Sequence, residues 1–380
     1  MIHQKNGFYD YTRIDQKLCQ LASAIETNVL AYINPQNLPE EKTKFFEYLG
    51  KNEPYNPVFS YIPRNPIYSY FTMSPTFNTY KLELKELLTE IGDDTLGLIL
   101  EKKIIDLFDR MEMSRSVGTQ NFTGNAESYY GGVDTATERF AQEFLSKSFE
   151  IEKMTMGFDE AKKNIELFLK KKRLHYKVNK KESAGSKFSV NIRTKEILIN
   201  PNQTFSANSL QRLIAHEIEG HIYRYENGLK QPYKIFSRGL SKETLETEEG
   251  LAVYVEQQQG INIDSQLKEY SGRVHAISTA MKHSFYETFT ELRKYFSDED
   301  AFNITLRAKR GVYKQDEGGA FTKDALYLKG MLLVKEFLKE RSVTELYYGR
   351  YATNDTPLVL DIAGLVKPKY LPEFVKSKKQ

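Results

Sequence analysis

The sequence is poor in the residues that build disulfide frameworks and cysteine metal clusters. Its 380 residues include a single cysteine, Cys19, and no tryptophan. One thiol excludes an intramolecular disulfide and any metal site made of several cysteines, and we expect Cys19 to be a small buried apolar residue. Only six histidines are present. A transition-metal site would therefore need histidine nitrogens together with carboxylate oxygens, and a close pair of histidines is informative.

Long apolar runs and a strong net charge are also missing. No segment approaches the roughly 18 uninterrupted apolar residues of a membrane span, and the N-terminus lacks the apolar core of a signal peptide. Basic side chains number 54 and acidic ones 51, a net charge of +3, which is too small to indicate nucleic acid or a membrane surface as a partner. We expect a soluble, cytoplasmic protein of one large or two to three smaller units.

Helical periodicity dominates what is present. Ile14, Leu18, Leu21 and Ile25 form one apolar stripe in a first helix. Further helical patterns follow at about 80–111 and 134–150. The segment 51–76 contains five prolines and is expected to be extended and packed.

Two segments have a composition that predicts loops. Residues 116–134 are rich in glycine and small polar residues, yet they carry Phe122, Tyr129 and Tyr130. Such a loop either packs down or lines a pocket. Residues 311–319 mix glycines with charges, which favours a mobile flap.

Residues 162–181 are strongly basic and 188–199 change to strand periodicity. The basic stretch is typical of a solvated helix face, and the alternative is steering of an acidic partner. The strand pattern predicts a hairpin. Its second strand, around Ile197 to Ile199, could offer an edge to an extended peptide or be purely structural.

The residues that best indicate chemistry form the segment Ala215-His216-Glu217-Ile218-Glu219-Gly220-His221. In the zinc-peptidase motif His-Glu-x-x-His the histidines are four residues apart and share a face. Here they are five apart, which on a regular helix separates them by about 140°. Binding one ion would need a local widening such as a π-turn, which Gly220 would ease. The alternative is two histidines without a metal. The other histidines are expected to be ordinary core or surface residues: His3, His175, His275 and His283.

A third ligand is available on a second acidic helix. Catalytic zinc takes three protein ligands and leaves one position open. Residues 245–256 lie about 30 positions after the histidines, and Leu245, Glu249, Ala252 and Glu256 share one stripe. The residues themselves do not choose between Glu248 and Glu249, and both could be solvated charges.

These motifs resemble the tyrosine carboxypeptidase family of metallopeptidases, which includes the microtubule-associated tyrosine carboxypeptidases and bacterial relatives with a Gln-Glu-Gly-Leu-Ala signature. The resemblance is carried by His-Glu-x-x-x-His, Asn227-Gly228, Gln231-Pro232 and Glu249-Gly250-Leu251-Ala252. Individually weaker blocks extend it over about 110–335: Gly118-Thr119, Phe122-Thr123, Arg307 to Gly311, Phe321 to Asp324, and Tyr327 to Gly330. The tubulin substrate of some members is not carried over.

The resemblance implies a zinc carboxypeptidase with one Zn²⁺ ion that removes a C-terminal residue, Tyr or Phe, from a peptide or protein tail. It identifies His216, His221 and Glu249 as the metal ligands and Glu217 as the catalytic base. Glu248 stands where the bacterial signature has Gln, which argues against it as a ligand. Zinc would activate a water molecule and Glu217 would accept its proton.

Substrate contacts are less well determined. A free terminal carboxylate favours an arginine fork, and Arg310 is favoured over Arg224, although each could be a surface arginine. Phe122 is a candidate wall for an aromatic side chain. Candidate donors to the carbonyl oxygen are Tyr327, Tyr254 and Tyr223.

The expected fold is α+β, a mainly helical zinc-peptidase fold with a small antiparallel or mixed sheet. The metal site should lie between helices at 206–225 and 243–258. Residues 1–110 should form a helical part that packs on a catalytic domain at 111–380. Three alternatives stay open: an endopeptidase or aminopeptidase, a non-catalytic zinc-binding regulatory protein, and an RNA- or anion-binding protein that uses the basic stretch.

Overall fold

The computed structural model describes residues 9–26, 33–61, 74–149, 152–182, 188–260 and 263–377. His3 lies outside these residues, as does the middle of the proline-rich segment. Residues 51–61 of that segment contain no helix or strand beyond a turn at its start, and Ser74 already begins a helix.

The described chain is mainly helical and carries a small mixed sheet, which confirms the α+β prediction. The helices are α1 (Tyr11–Ile25), α2 (Leu38–Gly50), α3 (Ser74–Glu90), α4 (Thr95–Arg115), α5 (Phe122–Tyr130), α6 (Thr135–Leu145), α7 (Phe158–Lys172), α8 (Ala207–Leu213), α9 (Tyr223–Gly228), α10 (Glu243–Gln257), α11 (Asp264–Ala280), α12 (Phe285–Leu292), α13 (Asp298–Lys309), α14 (Leu326–Phe337), α15 (Thr356–Leu360) and α16 (Glu373–Ser377). The strands are β1 (Lys177–Lys180), β2 (Phe188–Asn191) and β3 (Glu196–Ile199). A π-helical segment, Ile214–Ile222, joins α8 to α9. Short 3₁₀ segments are Lys234–Ser237, Thr322–Ala325, Val343–Tyr347 and Thr353–Asp355.

Helix α1 packs onto the segment that follows the π-helix. Its predicted apolar stripe is buried, as amphipathic spacing requires. The buried carboxylate of Asp15 accepts hydrogen bonds from the backbone N–H groups of Lys234 and Ile235, each at 2.8 Å. The N-terminal helix is thus tied to residues more than 200 positions later.

The sheet has the order β1-β3-β2, with β1 parallel and β2 antiparallel to β3. The predicted hairpin of β2 and β3 is therefore present. The idea that a substrate adds to the edge at Ile197 to Ile199 is wrong, because β3 is the central strand and its backbone is paired on both sides.

The predicted loop at 116–134 is also wrong, because its middle is helix α5. Ala126 lies four residues after Phe122, Tyr129 and Tyr130 lie three and four residues after Ala126, and all four are buried. The polar residues between them face outward, so an amphipathic helix is hidden in a composition typical of loops. Of the two options for the aromatic residues, packing is the one observed.

Helices α10 and α14 cross at unusually short range. A Cβ added at Gly250 would lie 1.9 Å from the carbonyl carbon of Gly330, so only glycine fits at this crossing. Helix α10 also packs against the π-helical segment, which places it between α14 and the two histidines. In the described residues, no helix is both long and apolar enough to cross a membrane.

Candidate metal centre

The π-helical segment brings together two histidines that are five residues apart and would point in different directions on a regular helix. Ser206 caps α8 by accepting from the backbone N–H of Ser209, and the helix widens at Ile214–Ile222. The predicted local widening is confirmed, and it brings the rings of His216 and His221 to a centroid separation of 5.0 Å. Gly220 has a further role, because a Cβ there would lie 2.8 Å from Cβ of Ala252 on α10.

Helix α10 supplies Glu249 to the same point. Oε2 of Glu249 lies 3.5 Å from Nε2 of His216 and 3.8 Å from Nε2 of His221. One ligand atom from each of the three residues falls within 4.8 Å of the others, so they could hold a metal ion. All three are largely buried, with side chains 7%, 18% and 12% exposed.

Each histidine also has a carboxylate behind it. Nδ1 of His216 lies 2.6 Å from Oε1 of Glu256, which is fully buried. Nδ1 of His221 lies 3.6 Å from Oε1 of Glu248. A carboxylate that is hydrogen-bonded to Nδ1, as Glu256 is to His216, fixes the tautomer that leaves Nε2 free for a metal ion. Glu248 therefore lies on the Nδ1 side of His221, outside the group of three residues that could hold a metal ion.

Arg350 holds Glu248 in place with a two-pronged contact. Its Nε and Nη2 donate to the two carboxylate oxygens at 2.8 and 2.6 Å. Burial would raise the pKa of Glu248, but the Arg350 charge and His221 hold it well below its usual range. The carboxylate behind His221 is therefore ionised at neutral pH.

The electrostatics of the three residues favour a cation. Burial disfavours a charged imidazole, yet hydrogen bonding to Glu249 and Glu256 raises the pKa of His216 to about 10. Burial likewise disfavours an ionised Glu249, but Lys323 and the histidines hold its pKa far below the usual value. Two imidazoles and a carboxylate form a donor set that suits Zn²⁺, so these residues fit the metal that the resemblance implies.

Glu217 and Tyr327 are the other predicted residues that lie at this centre. Glu217 is half-buried, and its carboxylate has no hydrogen-bond or ion-pair partner within the part of the chain that is described. The ring of Tyr327 stacks near His216, with centroids 6.1 Å apart, and on Tyr270 at 4.8 Å. Burial and the Glu249 charge raise the pKa of Tyr327 to about 12, so its hydroxyl keeps its proton.

The other tyrosine candidates are engaged elsewhere. Tyr254 packs edge-on against Phe374, and Tyr223 is fully buried beside Tyr370. Of the three candidates, Tyr327 is thus the one that stacks beside a proposed metal ligand.

The two arginine candidates differ sharply. Arg224 is fully buried and donates to the carbonyl oxygens of Leu346, Gly349 and Tyr351, which is the environment of a structural arginine. Arg310 is partly exposed, lies over the ring of Phe321 and donates to Asn34 at 3.3 Å. Burial and the neighbouring Arg307 lower the pKa of Arg310 to about 10.

Phe122 and the segment 311–319 are packed more firmly than expected. Phe122 is fully buried and stacks on Phe321 at 5.7 Å. The backbone of Gly311 donates to Tyr61, and Gly319 donates to the carbonyl of Ala280, both at 2.7 Å. These hydrogen bonds argue against a mobile flap.

Lys323 is a residue of this centre that the sequence did not single out. Its Nζ lies 3.4 Å from Oε1 of Glu249, and its side chain is 12% exposed. Its position inside the family-like block Phe321 to Asp324 was the one sequence feature that could have indicated it. Glu256 had a signal too, since it shares the stripe of Glu249. Arg350 had none, because it lies 102 residues from Glu248 in the chain.

Comparison with known proteins identifies a family. A family model described as microtubule-associated tyrosine carboxypeptidase matches residues 47–380. The "Putative tyrosine carboxypeptidase MATCAP2" of Mus musculus is 32% identical over 133 residues, which is 34% of this chain and 25% of that protein. Microtubule-associated tyrosine carboxypeptidase 1 of Rattus norvegicus is 29% identical over 179 residues, 44% of this chain and 36% of that protein. The chain thus spans about a quarter to a third of the length of these curated relatives.

Proposed function

The chain belongs to the microtubule-associated tyrosine carboxypeptidase family, and from this membership and the geometry of the centre we propose that it is a zinc-dependent carboxypeptidase. It would remove one C-terminal residue, Tyr or Phe, from a peptide or protein tail. The observation that carries the proposal is the convergence of His216, His221 and Glu249 beside Glu217, a carboxylate without a partner among the described residues.

His216, His221 and Glu249 would hold Zn²⁺, with Glu256 and Glu248 orienting the two imidazoles. When bound, zinc supplies Lewis acidity and lowers the pKa of a water molecule toward neutrality. Glu217 would accept the proton of that water and deliver it to the leaving amine. The neutral hydroxyl of Tyr327 would donate to the carbonyl oxygen as negative charge develops on it.

Recognition of the tail would rest on cations and aromatic residues near the centre. We keep Arg310 as a candidate for the terminal carboxylate, because within the described residues no carboxylate lies in ion-pair contact with it and burial lowers its pKa. Tyr130, Phe122 and Phe321 form a buried aromatic cluster beside it, and the preference for an aromatic terminal residue rests on the family membership. The substrate tail would be acidic and would be steered by the basic stretch at 162–181. We also propose a cytoplasmic location, with which one free cysteine is consistent.

The test compares peptides ending in Tyr, Phe or Ala, each with a free or an amidated C-terminus. We expect metal-dependent loss of one terminal aromatic residue from the free acids, read by mass spectrometry, and a strong loss on amidation. Glu217→Gln should retain the metal and lower turnover by roughly 100-fold or more. The exposed Glu243→Gln, a change of the same kind, should leave turnover unchanged. Internal cleavage, or cleavage that ignores amidation, would indicate an endopeptidase or aminopeptidase instead.

A further inference from the structure

We propose that Lys323 is the residue that binds the terminal carboxylate of the substrate directly, with Arg310 as the second cation of the same anion-binding site. This inference rests on the proposed carboxypeptidase function and names the group that confers its preference for free C-termini. It differs from the prediction based on sequence, which chose an arginine alone.

The first observation is an excess of cations around one buried carboxylate. Asp324 is 1% exposed and accepts a hydrogen bond from Nε of Arg307. Burial would raise the pKa of Asp324, but four surrounding cations hold it well below its usual range. Those cations are Arg307, Arg273, Arg310 and Lys323.

The second observation is how these cations are paired. Arg307 has Asp324 and Arg273 has Glu269 as ion-pair partners. Lys323 has only Glu249, a proposed metal ligand, and Arg310 has none, among the residues that the structure describes. Once a metal ion takes the charge of Glu249, Lys323 and Arg310 both lack a carboxylate of their own among the described residues. An anionic group entering from the substrate would supply the missing charge.

The third observation is position. Lys323 contacts Oε1 of Glu249 at 3.4 Å, while Oε2 faces the two histidine nitrogens. In a substrate, three covalent bonds separate the scissile carbonyl carbon from the carbon of the terminal carboxylate, a distance of at most about 4 Å. A group that binds this carboxylate must therefore lie next to the metal ligands, as Lys323 does.

The surroundings of Lys323 suit a terminal residue with a ring. Its Nζ lies 5.9 Å from the ring centre of Tyr327, one helical turn further along the chain. Tyr327 in turn stacks beside His216. The ammonium group of Lys323, the ring of Tyr327 and the imidazole of His216 thus lie next to one another.

Peptide binding can be followed by tryptophan fluorescence, because the chain has no tryptophan of its own. A peptide with one Trp upstream of a C-terminal Tyr is then the only indole in the sample. The Glu217→Gln variant is used so that the peptide is not cleaved during the measurement. Zinc-loaded Glu217→Gln protein should bind the free-acid peptide roughly 10- to 100-fold more tightly than its amide, as expected for a charge-assisted hydrogen bond. Adding Lys323→Gln should remove most of this preference and leave only the part that Arg310 contributes, and Lys323→Arg should restore most of it.

Lys329→Gln is the matched control, because Lys329 pairs with Glu246 of α10 at the same distance, 3.4 Å. It should leave the ratio unchanged. A free-acid preference that is undiminished in Lys323→Gln overturns the inference. So does loss of zinc from that variant, since Lys323 would then only position Glu249. Failure of the proposed function itself would be seen separately, as wild-type protein that cleaves neither peptide.

A second measurement does not depend on the folding of Lys323→Gln. A crystal structure of zinc-loaded Glu217→Gln with the free-acid peptide should show the terminal carboxylate in hydrogen-bond contact with Nζ of Lys323. A carboxylate bound by other residues would refute the assignment.

Discussion

At the scale of single residues, Lys309 is a buried cation away from the candidate metal centre, and its pKa is lowered by burial. It is fully buried at the end of α13, and its Nζ donates to the carbonyl oxygens of His283 and Glu317 at 3.1 and 2.6 Å. Burial outweighs the nearby charges of Asp316, Glu287 and Glu317 and lowers the pKa of Lys309 to about 8. The ammonium thus ties segment 311–319 to the start of α12 at an electrostatic cost.

This cost predicts an unusual pH dependence. A lysine whose pKa is lower in the folded than in the unfolded chain destabilises the fold while it is charged, and the cost disappears as pH rises between the two values. The free energy of unfolding of the wild type, relative to Lys309→Met, should therefore increase by about 3 kcal/mol from pH 8 to 10.5. Urea denaturation at several pH values measures it.

The exposed Lys314 is the control for this prediction. Its pKa is raised by a hydrogen bond to Glu317, so the difference between wild type and Lys314→Met should show no such increase. A flat difference for Lys309→Met as well would mean that the buried ammonium is better solvated than its position indicates.

Single residues of the centre were predictable when their chemistry is local to a motif. His216, His221 and Glu217 follow from one heptapeptide, and the resemblance chose Glu249 over Glu248. Lys323 and Arg350 were not predicted, because their roles arise only when segments distant in the chain meet. A partner across a fold leaves no periodic signal in the sequence.

At the scale of secondary structure elements, the π-helical segment and α10 pack against each other and together carry His216, His221 and Glu249. The sequence predicted the widening because five-residue spacing is incompatible with two ligands on a regular helix. It did not predict α5, whose glycine and polar residues hid its buried face, or the central place of β3, which depends on pairing with the distant β1. Local periodicity thus indicates an element, whereas its neighbours are set by tertiary packing.

The crossing of α10 and α14 offers the sharpest prediction at this scale. Gly250→Ala would place a Cβ 1.9 Å from Gly330, so the two helices must move apart. We expect a loss of about 3 kcal/mol or more in the free energy of unfolding. Because the adjacent residue, Glu249, is a proposed zinc ligand, zinc affinity should fall as well under that proposal, and calorimetry with Zn²⁺ together with thermal denaturation measures both.

Gly124→Ala is the matched control in α5, where an added Cβ meets nothing within 4 Å. In a helix this change should be neutral or stabilising by up to about 1 kcal/mol. Equal effects of the two substitutions would contradict the close crossing, and a destabilising Gly124→Ala would contradict the helical assignment of α5.

At the scale of the whole molecule, the question is whether residues 1–110 unfold with the rest. Asp15 of α1 accepts from Lys234 and Ile235, Arg238 donates to Ser23, and Lys102 of α4 pairs with Asp355. These contacts join the beginning of the chain to residues that follow the π-helical segment, although the family match begins only at residue 47. We therefore expect one cooperative unit.

Cys19 is the natural probe of that cooperativity, as the chain's single thiol. It is buried in α1, and burial together with Asp15 raises its pKa to about 12. At pH 8 the thiolate fraction should then be about a thousandfold below that of a free cysteine. Alkylation should occur only on unfolding, with the same urea midpoint as the loss of helical circular dichroism.

The substitution Asp15→Asn distinguishes a chain that unfolds as one cooperative unit from a chain whose N-terminal part unfolds separately. It weakens the contact between α1 and the Lys234–Ser237 segment, and if the molecule is a single unit both midpoints must move together to lower urea. If the N-terminal part opens independently, Cys19 will react at lower urea while the circular dichroism of the remaining helices and the bound zinc stay unchanged. The second result would make residues 1–110 a separate domain docked on residues 111–380 rather than part of the same folding unit.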